Sequence, residues 1–129
     1  MSKYLILYRH GMAEDKTKVE SDDLRSLSPR GKRLLSKSIY GFRKMIGKKN
    51  KVIIYSSPKL RAKQTAEILT EELDIGEPKF LDFLGTGGNV TLIRRLIEDS
   101  EPGSVSILVG QQPFLSIWSQ ELSGIFLTF

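Results

Sequence analysis

Three short apolar runs without a charged residue constrain the fold of this chain more than any other feature. They are rich in β-branched residues and cover residues 4–8, 52–55 and 105–109. Continuous runs of this length are typical of strands that are buried on both faces of a parallel sheet. They therefore predict three central strands, and a weaker run over 79–83 predicts a fourth.

Amphipathic helical patterns lie between these runs. Ser28 followed by Pro29 is typical of an N-cap with proline at the first helical position, and apolar residues then recur at helical spacing. A second apolar face ends near Gly76, Asn89 is placed to cap a third helix, and a fourth pattern covers 113–122. Strands that alternate with helices predict an α/β fold, as a three-layer α/β/α arrangement around a mostly parallel sheet.

Length and composition exclude several kinds of chemistry. A length of 129 residues favours a single domain over 1–129. The absence of cysteine excludes a disulfide framework, a thiolate metal site, an iron–sulfur cluster and cysteine catalysis. A single histidine cannot form a multi-histidine metal site within one chain. We therefore expect no metal and no cofactor, and any histidine chemistry falls to His10.

Charge is distributed unevenly along the chain. No acidic residue lies between Leu24 and Ala66, where 13 of the 20 lysines and arginines are found. A one-sided basic segment can attract an acidic or phosphate-bearing partner. The simpler interpretation, which we prefer for most of these lysines, is a solvated helix surface.

Polar residues follow each of the three strong strand patterns. They are Arg9-His10-Gly11 after the first, Ser56-Ser57-Pro58 with Arg61 after the second, and Gly110-Gln111-Gln112 after the third. Because parallel strands end at one edge of a sheet, where ligands of open α/β sheets bind, these segments are predicted to converge there. Arginine guanidinium groups match phosphate oxygens, a helix N-terminus adds backbone donors, and histidine can act as a nucleophile. The set predicts a phosphoryl-binding site.

Five longer sequence elements occur in order along nearly the whole chain. They are Tyr8-Arg9-His10-Gly11, Leu27-Ser28-Pro29-Arg30-Gly31, Ser56-Ser57-Pro58-Lys59-Leu60-Arg61-Ala62-Lys63-Gln64-Thr65-Ala66, Leu84-Gly85-Thr86-Gly87-Gly88 and Leu108-Val109-Gly110-Gln111-Gln112-Pro113-Phe114-Leu115. Together they resemble the histidine phosphatase superfamily, also called phosphoglycerate mutase-like, and most closely its small SixA-like phosphohistidine phosphatases. The first element alone is a weak signal, whereas the long third element after a predicted strand makes the combination specific.

The resemblance implies the phosphoglycerate mutase-like version of the α/β fold and a metal-independent phosphatase. By that resemblance His10 is the nucleophile that becomes phosphorylated, and water then releases phosphate. Arg9 and Arg61 clamp the phosphoryl oxygens and stabilise charge in the transition state. The implied substrate is a phosphohistidine on a protein or a small phosphorylated molecule.

The chain departs from the family pattern at Gln111, which stands where the family usually has a second catalytic histidine. A glutamine amide can donate a hydrogen bond to a phosphoryl oxygen, so we expect Gln111 to bind phosphate, but it cannot transfer a proton. The loss of one preorganised electrostatic contact commonly costs ~3–4 kcal/mol, or about a hundredfold or more in rate. Two interpretations stay open: an attenuated phosphatase, or a weak or inactive pseudophosphatase that binds phosphorylated protein or phosphate.

Other candidate residues are interpreted more conservatively. Arg61 could also be an ordinary surface arginine, although its place in the third element favours phosphate binding. Ser57 is interpreted as a cap or turn residue, because no second histidine is present to activate it. Asp82 and Glu14 stay open as general acids. Trp118 is interpreted as core packing on the fourth helix.

The last residues of the chain are mostly apolar. The resemblance implies further strand structure after the last helix, where this chain has only the apolar segment 124–129. This segment is open to interpretation as a final strand, a dimer contact or the end of a truncated chain. No apolar run reaches the ~20 residues that span a bilayer, so we expect a cytoplasmic monomer or dimer without a membrane partner. A nucleic-acid partner is not expected, because the basic segment contains no recognised nucleic-acid-binding motif. A mutase is disfavoured, because the chain has little room for additional loops.

Overall fold

Strands and helices alternate along the parts of the chain that the computed structural model describes, which are residues 4–9, 26–46, 51–85, 89–110 and 126–128. The elements in chain order are β1 (Tyr4–Arg9), α1 (Pro29–Ile46), β2 (Val52–Ser56), α2 (Leu60–Leu73), β3 (Lys79–Phe80), a 3-10 turn (Asp82–Leu84), α3 (Val90–Glu98), β4 (Val105–Gly110) and β5 (Phe126–Thr128). The three strong strand predictions and the first three predicted helices are thereby confirmed.

The strands form one sheet in the order β3-β2-β4-β1-β5, and every described pairing is parallel. β4 lies in the middle, paired with β1 from Tyr4↔Val105 to Arg9↔Gly110 and with β2 up to Ser56↔Val109. Parallel pairing places the carboxyl ends of the strands at the same edge, which we call the carboxyl edge. The predicted, mostly parallel sheet is therefore confirmed.

Burial on both faces explains why the strands have continuous apolar sequences. All six residues of β4 are buried. On one face, Ile107 and its neighbours pack with α1 and α2, whose buried residues include Ile39 and Leu69. On the other face, Leu108 packs with Leu84 and with Ile93 of α3. These two clusters make the predicted three-layer α/β/α arrangement.

Local hydrogen bonds define where the helices begin and end. The Ser28 Oγ accepts a hydrogen bond from the Gly31 N–H at 2.9 Å, and the Asn89 Oδ1 accepts one from the Leu92 N–H at 3.1 Å. Both predicted N-caps are therefore confirmed. α2 ends at Leu73, three residues before Gly76, because Asp74 takes the left-handed conformation, with φ 54°, and its N–H donates to the Glu71 carbonyl at 3.2 Å.

The weaker strand is shorter than the predicted 79–83. Strand pairing stops after Phe80, and the Leu84 N–H then donates to the Leu81 carbonyl at 3.0 Å, which closes the 3-10 turn. The turn buries the Leu84 side chain under the sheet, in the cluster that contains Leu108 and Ile93. β3 is therefore shorter than predicted because the chain turns to bury Leu84, and the local sequence pattern does not encode that burial.

The C-terminal expectations have different outcomes. Residues 126–128 form β5, which pairs with β1 in parallel, in agreement with the final-strand interpretation of 124–129. The predicted helix over 113–122 and Trp118 lie outside the described residues. None of the helices in the described ranges is long and apolar enough to span a membrane.

Replacement of a leucine in the central strand tests this account of the core. Leu108→Ala removes a side chain with 0% exposure and is expected to lower the free energy of unfolding by about 2–5 kcal/mol, because a cavity remains. The matched control is Leu34→Ala on the outer face of α1, where Leu34 is 45% exposed. Its effect is expected to stay within about 0.5 kcal/mol. Urea unfolding measures both; equal losses would contradict the assigned layers.

Candidate active site

The carboxyl ends of β1, β2 and β4 lie side by side. Arg9 is the register partner of Gly110, and Ser56 is the register partner of Val109. Beyond the last strand residue, the Ser57 N–H donates to the Val109 carbonyl at 3.0 Å, so the chain after β2 stays attached to β4. Adjacent strands lie about 4.8 Å apart. The predicted convergence at one edge is therefore confirmed for the backbone of these strand ends.

The structure describes the predicted site residues to different extents. Arg61 is described with its side chain, and Arg9 only by its backbone as the last residue of β1. His10 and Gln111 lie outside the described residues, although each follows directly after one member of the Arg9–Gly110 pair in the sequence. The phosphate-binding and catalytic roles of these four residues remain predictions.

A hydrogen-bonded turn connects β2 to α2. The Ser56 Oγ donates to the Ser57 carbonyl at 2.8 Å, and the Ser57 Oγ accepts from the Lys59 N–H at 3.3 Å. Both serines are fully buried. These contacts agree with the interpretation of Ser57 as a turn residue and hold the start of α2 against the carboxyl edge.

Arg61 is the second residue of α2, and it is buried with only 3% exposure. This burial excludes the alternative of an ordinary surface arginine. Side chains of an α-helix lean toward its N-terminus, and the N-terminus of α2 lies at the carboxyl edge. A buried guanidinium is costly unless polar or anionic groups compensate its lost hydration. The fold therefore maintains a buried positive charge beside the strand ends.

The residues after Arg61 connect separate parts of the site, a role that the sequence reasoning missed. The Thr65 Oγ1 donates to the Arg61 carbonyl at 2.7 Å within α2. The Gln64 Oε1 accepts a hydrogen bond from the Leu27 N–H at 2.7 Å. This contact joins the second sequence element to the third across 37 positions of the chain. Leu27 belongs to the second of the sequence elements that carry the resemblance and Gln64 to the third, but no local spacing links the two residues.

The glycine-rich element also reaches the carboxyl edge. Gly85 is buried, and a Cβ there would lie 3.2 Å from the Asp82 carbonyl oxygen and 3.5 Å from the Pro58 Cδ. This close approach favours glycine and places Gly85 next to the turn after β2. Asp82 is exposed at the start of the 3-10 turn, and Glu14 lies outside the described residues, so both stay open as acids.

Tyr8 lies in β1 directly before Arg9. Burial raises the pKa of Tyr8, an effect that its hydrogen bond with Ser38 partly offsets. Tyr8 therefore stays neutral at ordinary pH, and its ring packs against Phe42 of α1 at a centroid distance of 5.3 Å.

Within the described ranges, no group of three or more histidine, cysteine, aspartate or glutamate side chains is arranged to hold a metal ion.

Comparison with known proteins gives the family. Residues 5–84 match the profile of the Histidine phosphatase superfamily (branch 1), which is more than half of the chain. The match includes β1, the turn after β2 and the buried arginine of α2. The chain therefore belongs to the histidine phosphatase superfamily, as the sequence elements predict.

Individual relatives agree with this assignment. An uncharacterized protein of Picosynechococcus sp. is 30% identical over 121 residues, which cover 92% of this chain and 72% of the relative. A protein assigned as the phosphohistidine phosphatase SixA of Agrobacterium tumefaciens has a TM-score of 0.74 at 19% identity, with 90% and 74% of the two chains covered. The protein histidine phosphatase SixA complexed with tungstate has a TM-score of 0.70 at 23% identity, with 95% and 82% covered.

The structural comparisons also confirm the predicted fold type. A phosphoglycerate mutase of Plasmodium falciparum shares the fold with a TM-score of 0.69 at 15% identity, over 92% of this chain and 67% of that one. At such identities the likeness concerns the fold alone. The chain therefore has the phosphoglycerate mutase-like α/β fold.

The Gln64–Leu27 contact generates a prediction about stability. Gln64→Leu leaves the Leu27 N–H without its acceptor and is expected to lower the free energy of unfolding by about 1–3 kcal/mol. Gln64→Glu is the matched control, because it retains an oxygen at the same position and is expected to lose much less. Thermal or urea unfolding of the two variants measures the difference. Equal stability of both variants would show that the contact is dispensable.

Proposed function

We propose that this protein is a metal-independent phosphatase that hydrolyses phosphohistidine, or a phosphomonoester, through a phosphorylated His10. The observation that carries the proposal is the buried Arg61 at the N-terminus of α2, at the same edge of the sheet where β1 ends one residue before His10. A buried guanidinium at this position is suited to a dianionic phosphoryl group. Membership of the histidine phosphatase superfamily supports the same activity.

A structural relative supports the class of ligand. The histidine phosphatase SixA that shares this fold was obtained as a complex with tungstate. Tungstate is a tetrahedral oxyanion, as phosphate is. The relative therefore supports a phosphoryl group as the ligand of this chain.

The proposed reaction has two steps. In the first, an imidazole nitrogen of His10 attacks phosphorus, and the bond from phosphorus to the leaving group breaks as that group takes up a proton. In the second, water attacks phosphorus, the bond to His10 breaks, and inorganic phosphate leaves. Arg9 and Arg61 hold the phosphoryl oxygens in both steps and stabilise the charge of each transition state.

The presence of Gln111 favours phosphohistidine as the substrate. Glutamine cannot donate a proton to a leaving group, although its amide can bind a phosphoryl oxygen. An imidazole leaving group is far less basic than an alkoxide, so cleavage of its bond to phosphorus depends less on a general acid. A phosphohistidine on a protein is therefore the preferred substrate class, ahead of a phosphomonoester.

Gln111 also favours a second candidate function. Without the charge of a second histidine, the site is open to use as a pseudophosphatase that binds phosphorylated protein without turnover. The two functions share the phosphate-binding arginines. They differ in whether His10 forms a covalent bond to phosphorus.

Replacement of the nucleophile tests the proposed function. His10→Ala is expected to abolish the release of phosphate from phosphohistidine peptides, because no covalent intermediate can form. The measurement is a phosphate-release assay, combined with rapid-quench trapping of an acid-labile phosphoenzyme in the unsubstituted protein. Unchanged turnover by a pure His10→Ala sample would exclude the mechanism. Phosphate binding without phosphoenzyme or turnover would assign the pseudophosphatase function instead.

Replacement of the buried arginine tests the phosphate clamp. Arg61→Ala is expected to lower kcat/KM by about a hundredfold or more, because a preorganised positive charge is lost. Arg61→Lys is expected to recover only part of this, since an ammonium group lacks the bidentate geometry. The matched control is Arg43→Ala, which removes an exposed arginine from the last turn of α1 and is expected to leave the rate unchanged. Circular dichroism verifies folding, and a fully active, folded Arg61→Ala would rule out the clamp.

A further inference from the structure

The outer surface of α1 carries an unusual concentration of positive charge. The helix has no acidic residue, and all of its lysines and arginines are exposed; these are Arg30, Lys32, Arg33, Lys37, Arg43 and Lys44. Within the parts of the chain that the structure describes, none of these six makes an ion pair. The helix therefore presents six positive charges over 18 residues without a neutralising carboxylate of its own.

Four of these charges form a single stripe. The stripe consists of Arg30, Arg33, Lys37 and Lys44. Successive members are three, four and seven positions apart, and residues at this spacing lie on the same side of a helix. Tyr40 lies between Lys37 and Lys44 in the same stripe, and its side chain is 67% exposed. We call these five residues the cationic face. The opposite side of α1 carries the buried residues that pack on the sheet.

The cationic face includes apolar surface as well as charge. The Lys44 Nζ lies 4.7 Å from the centroid of the Tyr40 ring, and the exposed Leu34 lies between Arg30 and Lys37 on the same side. Tyrosine and arginine are enriched in the centres of protein–protein interfaces. The cationic face therefore combines positive charge with aromatic and apolar surface that a protein partner can contact.

The N-terminal end of the cationic face is the end nearer to the proposed active site. The Leu27–Gln64 hydrogen bond holds the N-terminus of α1 beside the first turns of α2, where Arg61 is located. Arg30 therefore lies nearest to the carboxyl edge. With a rise of 1.5 Å per residue along the helix axis, the cationic face extends about 21 Å from Arg30 to Lys44.

The charges of the cationic face have a cost in the isolated protein. Like charges three or four residues apart on a helix destabilise it by a few tenths of a kcal/mol per pair. An acidic ligand along the face removes this repulsion and forms new ion pairs. The surface is therefore suited to an anionic partner that extends along the helix.

We infer that the cationic face docks an acidic surface of the protein that carries the phosphohistidine. This inference rests on the proposed function, because the same partner must place its phosphoryl group at the carboxyl edge. A phosphorylated protein with acidic residues near the modified histidine meets both requirements. A small phosphorylated molecule contacts only the carboxyl edge and gains nothing from α1.

A matched pair of substrates tests the docking surface. Both are synthetic peptides with one phosphohistidine, followed after four to eight residues by a tract of glutamates in one peptide and of glutamines in the other. At low salt the acidic peptide is expected to have a kcat/KM about three- to tenfold higher, mainly through KM, because several exposed ion pairs form. Added salt is expected to remove the preference. Equal kcat/KM values for the two peptides would overturn the inference.

Charge reversal shows whether α1 is responsible. Arg33→Glu/Lys37→Glu is expected to abolish the preference for the acidic peptide and to leave the hydrolysis of free phosphohistidine unchanged. The matched control, Lys79→Glu/Arg95→Glu, changes the net charge equally at exposed positions of β3 and α3 and is expected to retain the preference. A preference that survives reversal on α1, or that both variants lose equally, would contradict the assignment to the cationic face.

Binding measurements separate the failure of docking from the failure of catalysis. Fluorescence anisotropy with the labelled, unphosphorylated peptides is expected to show tighter binding of the acidic one, which is lost on reversal of Arg33 and Lys37. This result supports the docking surface even if no phosphohistidine substrate is hydrolysed, in which case only the proposed function fails. Tighter binding of a short DNA duplex, lost in the same variant, would assign the face to nucleic acid and overturn the inference.

Discussion

The pairing of β4 between β1 and β2 is the constraint on which the rest of the structure depends. Because β4 is buried on both faces and pairs in parallel on both sides, its neighbours end at the same edge. That edge brings the residue before His10 next to the residue before Gln111. A change in the order or direction of these strands would separate the two positions even if every local element still formed.

The turn after β2 and the first half of α2 combine structural and proposed catalytic roles. Buried serines close the turn, Thr65 bonds back to the carbonyl of Arg61, and Gln64 holds the segment before α1. These contacts fix the start of α2, and with it the buried guanidinium, against the strand ends. The long sequence element is therefore informative because nearly all of its polar residues have a partner or a buried position.

The buried charge at the carboxyl edge and the exposed charges along α1 differ in their exposure to solvent. At the carboxyl edge a buried charge lies in a low-dielectric environment, where it is suited to bind one phosphoryl group strongly. Along α1 the charges are exposed and screened by salt, so each contributes little and only their number is significant. The first arrangement is suited to chemistry, and the second is suited to the choice of a partner.

The sequence by itself determined the three central strands and both side-chain N-caps, because each is encoded in a short contiguous stretch. It also determined the family, because five elements occur in the family's order along the chain. It also predicted that polar residues meet at one edge, once parallel strands were assumed. Only the tertiary structure decided the strand order, the burial of Arg61, the Leu27–Gln64 contact and the 3-10 turn that shortens β3. These features depend on contacts between residues far apart in the chain, and local periodicity does not encode such contacts.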